Sequence, residues 1–298
     1  MNNPSQRALS ATPDQGNAFS KAVVCLILGE LALALMAAVI KHLSGSLPMM
    51  QLVFCRNVFG LMAVLPIVVS GGLLALKTQV FHWHALRALS GVTGMLGYFY
   101  VISQLPLAEA NLVKLTSPFF LPLVAWLWLK EDLSRGIYLS VLLGFIGVVF
   151  ILKPGTASFQ PAVLVGIGAA VMASVAKVTI RRMGGTEPGS RIVFYFALLC
   201  TVFSLIPALW VWQTPASNIQ WLWLMAMGLL GTVGQLLMTY AYRMAPPGRV
   251  GVYTYSSVIF AALLGWIIWG EPVLLSSMIG AGCIIAAGVM ALKAPKGN

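Results

Sequence analysis

The chain has 298 residues, of which 59% are hydrophobic and only 8% are charged, and its formal net charge is +11. Ordinary soluble domains carry about 25% charged residues, so this composition excludes one. The basic residues stand at the ends of apolar runs instead of forming one patch, which argues against nucleic-acid binding. Most of the chain is therefore expected to lie in a lipid bilayer.

The N-terminal residues 1–18 are polar and rich in Ser, Pro, Asn and Gln, which predicts a disordered cytoplasmic tail. After them, Gly, Pro and charged residues divide the chain into apolar segments of about 20 residues, the length of a helix that crosses the hydrocarbon core. Ten transmembrane helices are predicted, at residues 20–41, 48–70, 83–104, 107–129, 135–152, 162–180, 192–212, 219–241, 249–269 and 273–292. The four cysteines fall inside these segments without metal-ligand spacing, so neither a disulfide nor a metal site is expected.

The basic residues near the predicted helix ends indicate the orientation. With the N-terminus in the cytoplasm, twelve of them lie on the cytoplasmic side, while two, Lys41 and Lys153, lie on the other. Cytoplasmic loops of membrane proteins carry such an excess of Lys and Arg, so both termini are expected to be cytoplasmic. The expected localisation is that of a multi-pass protein in a bacterial-type inner membrane.

The sequence repeats itself after 140 residues. Identical residues at this offset include Gly91 and Gly231, Tyr100 and Tyr240, Pro106 and Pro246, Trp126 and Trp266, and Glu131 and Glu271. Shared Tyr, Pro, Trp and Glu at one offset indicate a duplication rather than a composition bias. Two five-helix repeats are predicted, at residues 19–153 and 160–293, and an odd number of helices makes the second repeat enter the membrane with opposite polarity. Inverted repeats of this kind are typical of transporters that bind substrate near the bilayer midplane.

Three stretches also carry a resemblance to a known family. They are KHLSGSLPMMQLVFCRN, LPLAEANLVKLTSPFFLPLVAWLWLKEDLSRGIYLSVLLGFIGVVFILKPG, and its weaker copy APPGRVGVYTYSSVIFAALLGWIIWGEP. Over almost its whole length the chain resembles the ten-helix EamA branch of the drug/metabolite transporter superfamily. The resemblance implies a secondary transporter that exports or exchanges small polar metabolites by alternating access, with amino acids favoured and nucleotide-type compounds or riboflavin as alternatives. It implies a small-molecule substrate and the lipid bilayer as partners, and no cofactor.

Charged residues within the predicted helices are the first candidates for a site. Glu30 lies roughly 15 Å into its helix, near the bilayer midplane, where a carboxylate needs a partner or a wet cavity. Arg56 enters from the opposite side to a similar depth and is expected to reach Glu30. Either the two form a structural ion pair, or Glu30 contacts a substrate ammonium or a proton. Lys41, Arg87 and Lys177 lie near helix ends and are expected to extend to the membrane surface.

Polar residues on the fourth and ninth predicted helices are the second group of candidates. Asn111, Lys114 and Ser117 recur every three residues, so they share one side of a helix. Their counterparts in the second repeat are small or hydroxylated, a composition that close helix packing would also explain. Tyr and Gln side chains at the same depth can donate and accept hydrogen bonds. The predicted substrate site comprises Glu30, Arg56, Asn111, Lys114, Ser117, Gln235, Tyr240, Tyr253, Thr254 and Ser257.

Two other classes of membrane protein are alternatives to a transporter. An intramembrane enzyme needs a nucleophile with a base, or a metal cluster, at the midplane, and the three histidines all lie near helix ends. A channel or a non-transporting structural protein stays open, although no selectivity-filter sequence is visible. No nucleotide-binding loop of the GxxxxGK[ST] type occurs, so direct ATP coupling is not expected. The oligomeric state is left open, a monomer included.

Overall fold

The computed structural model describes residues 13–69, 77–129, 135–152, 160–183, 186–187, 189–244, 251–272 and 274–293. These residues form α-helices and one 3-10 helix, without a strand among them, which confirms the all-α prediction. The α-helices are α1 (Pro13–Ser44), α2 (Met49–Val69), α3 (Phe81–Gln104), α4 (Leu107–Lys114), α5 (Ser117–Leu129), α6 (Arg135–Leu152), α7 (Ala162–Met183), α8 (Gly189–Trp210), α9 (Asn218–Met244), α10 (Ser256–Trp269) and α11 (Leu275–Lys293). The 3-10 helix, Gly251–Tyr255, directly precedes α10.

Six segments of the described residues are helices long and apolar enough to cross a membrane. They are Phe19–Ser44, Met49–Pro66, Phe81–Gln104, Ala162–Ile180, Arg191–Trp210 and Asn218–Met238. Shorter apolar helical segments are Tyr138–Ile151, Tyr253–Trp269 and Leu275–Met290. The chain is therefore an α-helical membrane protein with several spans, while the number of ten transmembrane helices stays a prediction. Residues 1–12 of the predicted disordered tail lie outside the described residues, while residues 13–18 form the start of α1.

The fourth predicted helix is not continuous, because α4 ends at Lys114 and α5 begins at Ser117. Pro118 follows at once, and a proline ring clashes with the carbonyl four residues earlier, so α4 cannot continue regularly into α5. The equivalent place in the second half, 140 residues later, is where the 3-10 helix ends at Tyr255 and α10 begins. Both halves therefore contain an interrupted helix, which lets backbone and side chains line a protein interior at membrane depth.

The helices pack in pairs that recur after 140 residues. Helix α9 lies against α1, and α3 lies against α7. A Cβ atom on Gly234 would lie 3.0 Å from the carbonyl oxygen of Gly29, and one on Gly94 would lie 3.2 Å from that of Ala169. Small residues let membrane helices approach this closely. The four residues form two pairs at the 140-residue offset, so the repeat read from the sequence recurs in the packing.

Polar side chains form hydrogen bonds inside the helix bundle, while large apolar side chains face outward. Gln51 donates to the Gln213 carbonyl at 2.7 Å and accepts from its N–H at 3.0 Å. Asn57 donates to the Ser204 hydroxyl at 3.4 Å. On the outside, Trp210 is 83% exposed, and many large aliphatic side chains are exposed as well. Such a surface suits lipid, which offers polar groups no hydrogen bonds.

Candidate functional site

A cavity of about 490 Å³ lies among helices of both halves. Much of its wall is apolar, from side chains such as Leu33, Met36 and Phe99. The polar and charged residues that also line it are Glu30, Arg56, Arg87, Tyr98, Lys114, Ser117, Lys177, Gln235, Thr254 and Tyr255. A cavity of this size, mostly apolar with a few fixed polar groups, suits one small polar molecule.

Equivalent positions of the two halves build this cavity. Pairs at the 140-residue offset in which both members line it include Glu30 and Ala170, Leu33 and Ala173, Arg56 and Phe196, Met95 and Gln235, Tyr98 and Met238, and Lys114 and Thr254. The lining is symmetric in position but not in charge. Glu30, Arg56 and Lys114 each have an uncharged counterpart, so the first half supplies most of the charge.

Glu30 is a fully buried carboxylate on α1, with an exposed fraction of 0%. Neither of its oxygen atoms has a hydrogen-bond partner among the described residues. The cations that interact with it electrostatically are Lys114 and Lys177. A buried charge without a hydrogen bond is unfavourable, so Glu30 offers an unused acceptor to a molecule in the cavity.

The predicted pairing of Arg56 with Glu30 does not occur. Arg56 Nη1 instead donates to Asn57 Oδ1 at 3.0 Å and lies 3.9 Å from the Met95 sulfur. The guanidinium lies over α9, where a Cβ atom on Gly231 would be 3.3 Å from Arg56 Nε. Both side chains line the cavity, but the guanidinium donates to Asn57 and not to Glu30.

Lys114 and Lys177 form a second group with Ser117 and Tyr98. Lys177 Nζ donates to the Ser117 hydroxyl at 3.0 Å. Lys114 Nζ lies 5.6 Å from the centre of the Tyr98 ring, a cation–π distance. The Tyr98 hydroxyl donates to Asn111 Oδ1 at 3.2 Å. Ser117 and Asn111 therefore hold the groups that face the cavity, and Asn111 itself does not line it.

Arg87 and Lys177 both line the cavity, so the expectation that they extend to the membrane surface is wrong. Arg87 Nη1 donates to the Ile192 carbonyl at 2.6 Å, and its guanidinium lies 4.2 Å from the Phe196 ring centre. Depth alone could not exclude the surface, because both residues lie within a few turns of a helix end. Helical spacing was the missed signal. Arg87 lies seven residues before the cavity residue Gly94, and Lys177 lies seven residues after the cavity residue Ala170. Seven residues are about two helical turns, so each cation lies on the same helix face as a residue that lines the cavity.

Six of the ten predicted site residues line the cavity, and four do not. Tyr240 and Tyr253 are 55% and 39% exposed. Tyr240 lies five residues beyond the cavity residue Gln235, which turns it about 140° around α9. Ser257 is buried, and its hydroxyl has no hydrogen-bond partner among the described residues. Together with Asn111, these residues lie outside the cavity wall.

Lys41 joins several elements near one end of the bundle. It forms an ion pair with Glu271 and donates to the Leu105 carbonyl at 2.8 Å. Glu271 also accepts a hydrogen bond from the Leu107 N–H at 2.8 Å. Lys41 is therefore held inside the bundle, with only 16% of its side chain exposed, and does not extend freely to the surface as predicted. These contacts connect α1 and the α3–α4 turn to the residues that follow α10.

Glu187 joins a second cluster, at the other end of α3. Its carboxylate accepts hydrogen bonds from Thr78 at 2.8 Å and Arg191 at 2.9 Å, and His84 Nε2 lies 3.6 Å away. Burial alone would raise the pKa of Glu187, but the two hydrogen bonds and the neighbouring cations lower it below the ordinary value. His84 and Leu105 are separated by roughly 30 Å along the helix axis. Charged clusters thus lie at both ends of α3.

The sequence model of the EamA-like transporter family matches residues 20–153 and 160–292 of this chain. The chain belongs to the EamA-like transporter family. This confirms the family resemblance and shows a transporter rather than an enzyme.

Relatives of this EamA-like transporter are named for different small molecules. It is 30% identical over 277 residues to a pseudopaline exporter of Pseudomonas aeruginosa, covering 92% of this chain and 97% of that one. It is 28% identical to a riboflavin transporter of Vibrio cholerae, covering 82% and 84%. It is also 28% identical to an S-adenosylmethionine uptake transporter of Rickettsia prowazekii, covering 86% and 87%. These relatives indicate a small-molecule substrate.

The same fold occurs in a solved structure titled "Crystal structure of protein". That structure superposes with a TM-score of 0.61 at 20% identity, covering 94% of the EamA-like transporter and 97% of the other chain. The likeness extends over nearly the whole chain and concerns the fold alone.

Proposed function

We propose that this EamA-like transporter is a secondary transporter that exports or exchanges small polar metabolites, with amino acids and their derivatives as the favoured class. The observation that carries the proposal is the cavity, whose apolar wall holds four cations and one carboxylate, Glu30, that has no hydrogen-bond partner among the described residues. Opposite charges in one apolar cavity can bind the carboxylate and the ammonium of the same molecule. The naming of one relative as an exporter supports outward transport.

Alternating access is the mechanism that we propose for this cavity. The ten predicted helices form two inverted five-helix repeats with both termini in the cytoplasm of a bacterial-type cell, and the cavity lies between the repeats. The recurrence of packing contacts and lining positions at the 140-residue offset supports this arrangement. Inverted repeats give a carrier two nearly equivalent conformations that open to opposite sides. The Lys41–Glu271 pair joins α1 to the residues after α10, and in this proposal it closes one end of the bundle.

Each polar side chain of the cavity has a role in this proposal. Lys114 binds a substrate carboxylate, while Glu30 accepts hydrogen bonds from the substrate ammonium. Ser117 holds Lys177 in place. The residues that complete the proposed binding set are Arg56, Arg87, Gln235 and Thr254.

An uptake screen in proteoliposomes tests the proposed function. The purified full chain is reconstituted, and the initial uptake of radiolabelled amino acids, nucleosides and riboflavin is measured against concentration. A carrier is expected to saturate with at least one amino acid or amino-acid derivative, and substrate on the far side should accelerate uptake. Uptake that rises linearly with concentration and is not accelerated by substrate on the far side would indicate a channel instead. Protein-free liposomes are the control.

Cysteine labelling tests the proposed orientation. Single cysteines placed in residues 1–18, 182–190 and 293–298 of a cysteine-free variant are expected to react with a membrane-impermeant reagent only after the cells are opened. The physical reason is the excess of Lys and Arg on that side. Labelling of the C-terminal cysteine in intact spheroplasts would contradict the prediction that the second repeat has the inverted orientation.

A further inference from the structure

We infer that the cavity recognises an anionic metabolite with at least two separate carboxylates and one ammonium, rather than a neutral zwitterion. This inference rests on the proposed function, because it names the substrate class of the same cavity. The sequence alone predicted one carboxylate and two cations there. Arg87 and Lys177 add two further positive charges to the lining.

The carboxylates of the described residues neutralise at most one of the four cavity cations. Arg56, Arg87, Lys114 and Lys177 line it together with one carboxylate, Glu30. Within the described ranges, no carboxylate lies at ion-pair distance from any of the four. Other described carboxylates bond outside the cavity, Glu271 with Lys41, Glu187 with Arg191, and Glu109 with Ser277. With every group ionised, four positive charges and one negative charge give the lining a net charge of +3.

The four cations fall into two groups. Arg56 and Arg87 both lie against α8, since Arg56 donates to Asn57, whose amide donates to the Cys200 carbonyl at 3.4 Å, and Arg87 donates to the Ile192 carbonyl. Lys177 donates to Ser117, which lies three residues after Lys114. Two cationic groups on different helices match two carboxylates at separate positions of one molecule. A single compact phosphate would satisfy only one of them.

The arginine group still has unused hydrogen-bonding capacity. Arg87 Nε is buried and has no hydrogen-bond partner in the described part of the chain. Since a guanidinium presents its donors in a fork that matches a carboxylate, this nitrogen is a ready donor to a substrate. In the lysine group, the unpartnered oxygens of Glu30 are ready acceptors for an ammonium. One end of the substrate is therefore purely anionic, and the other is zwitterionic.

A net positive cavity also discriminates between substrate classes. A zwitterion brings no net charge and leaves the surplus unneutralised. A cationic substrate would add to the repulsion between Lys114 and Lys177. A molecule with two or more carboxylates and one ammonium lowers the surplus and matches each charged group with an opposite one.

Matched pairs of labelled compounds test this inference in proteoliposomes of the full chain. L-Glutamate and L-glutamine have the same shape and differ by one charge, glutarate lacks the ammonium of glutamate, and adenosine monophosphate supplies a phosphate. We expect the apparent affinity for glutamate to exceed that for glutamine by roughly 10-fold or more, which is the effect of one charged hydrogen bond. Glutarate is expected to bind more weakly than glutamate because it offers Glu30 no ammonium.

Variants that each remove one positive charge show which residues cause the preference for glutamate over glutamine. Arg87→Gln is expected to reduce the ratio of glutamate to glutamine affinity by roughly 10-fold, because the arginine group holds the carboxylate that glutamine lacks. Lys177→Gln removes a cation from the group that holds the end common to both compounds, so it should weaken both and leave the ratio unchanged. The matched control is Arg182→Gln, which removes an exposed cation from α7 outside the cavity and should leave the ratio unchanged. The melting temperature of each variant in detergent shows whether it is folded.

Three results would overturn the inference. Saturable uptake in which glutamine equals or exceeds glutamate would refute the anionic class while leaving the carrier function intact. Preferred uptake of adenosine monophosphate would assign the cations to phosphate. Absence of saturable uptake for every probe, including those of the wider screen, would reject the proposed function together with this inference.

Discussion

Glu30→Gln is expected to reduce the apparent affinity for the transported metabolite by roughly 10- to 100-fold, without lowering the melting temperature. The carboxylate is fully buried and has no hydrogen-bond partner among the described residues, so the amide loses no internal hydrogen bond. Removing a buried, unpartnered charge also removes its desolvation cost. The loss should therefore appear in substrate binding alone. Initial uptake against concentration, normalised to folded protein, measures it.

Glu109→Gln is the matched control for Glu30→Gln. Glu109 is also a buried carboxylate of the first half, but it accepts a hydrogen bond from Ser277 and does not line the cavity. Its substitution should leave the apparent affinity unchanged. If Glu30→Gln instead lowers the melting temperature and leaves the affinity intact, Glu30 is a structural residue. The proposed substrate site would then consist of the cavity cations without Glu30.

Breaking the Lys41–Glu271 pair is expected to destabilise the protein by about 1 to 3 kcal/mol, because removing one member leaves the other largely buried without its partner. Lys41→Met and Glu271→Gln should each lower the midpoint of thermal unfolding in detergent. The double variant should recover part of the loss, because neither charge is then left alone. A double-mutant cycle measures this coupling between α1 and the residues after α10.

Additivity of the two substitutions would contradict a direct interaction between Lys41 and Glu271. Arg182→Gln again serves as a control, because Arg182 is an exposed cation. Its Cζ atom lies 5.8 Å from the centre of the Trp83 ring. The midpoint of thermal unfolding of Arg182→Gln should change no more than that of an ordinary surface substitution.

Hydropathy and the internal repeat carried much of the fold prediction. Apolar segments long enough to cross the bilayer follow from the cost of exposing backbone polar groups to lipid, and they correspond to the long helices of the structure. The interruption between Lys114 and Ser117 was missed because hydropathy does not change there. Pro118 was the local signal for it.

The candidate site was only partly predictable, because depth in a membrane is a one-dimensional property. Depth correctly singled out Glu30, which lies near the middle of α1 and lines the cavity. It misplaced Arg87 and Lys177, since the face of a helix decides whether a cation near its end reaches water or the interior. It also paired Arg56 with Glu30, because depth does not show which neighbour a guanidinium bonds, and Arg56 bonds Asn57 on its own helix.

Solute counterflow is the measurement that tests alternating access through this cavity most directly. Proteoliposomes loaded with a high concentration of unlabelled substrate are diluted into a trace of the same labelled compound. A carrier with one alternating site is expected to accumulate label transiently above equilibrium, and Lys114→Ala should weaken this accumulation at low substrate concentration. Label that only equilibrates, without an overshoot, in the wild-type protein would contradict the mechanism.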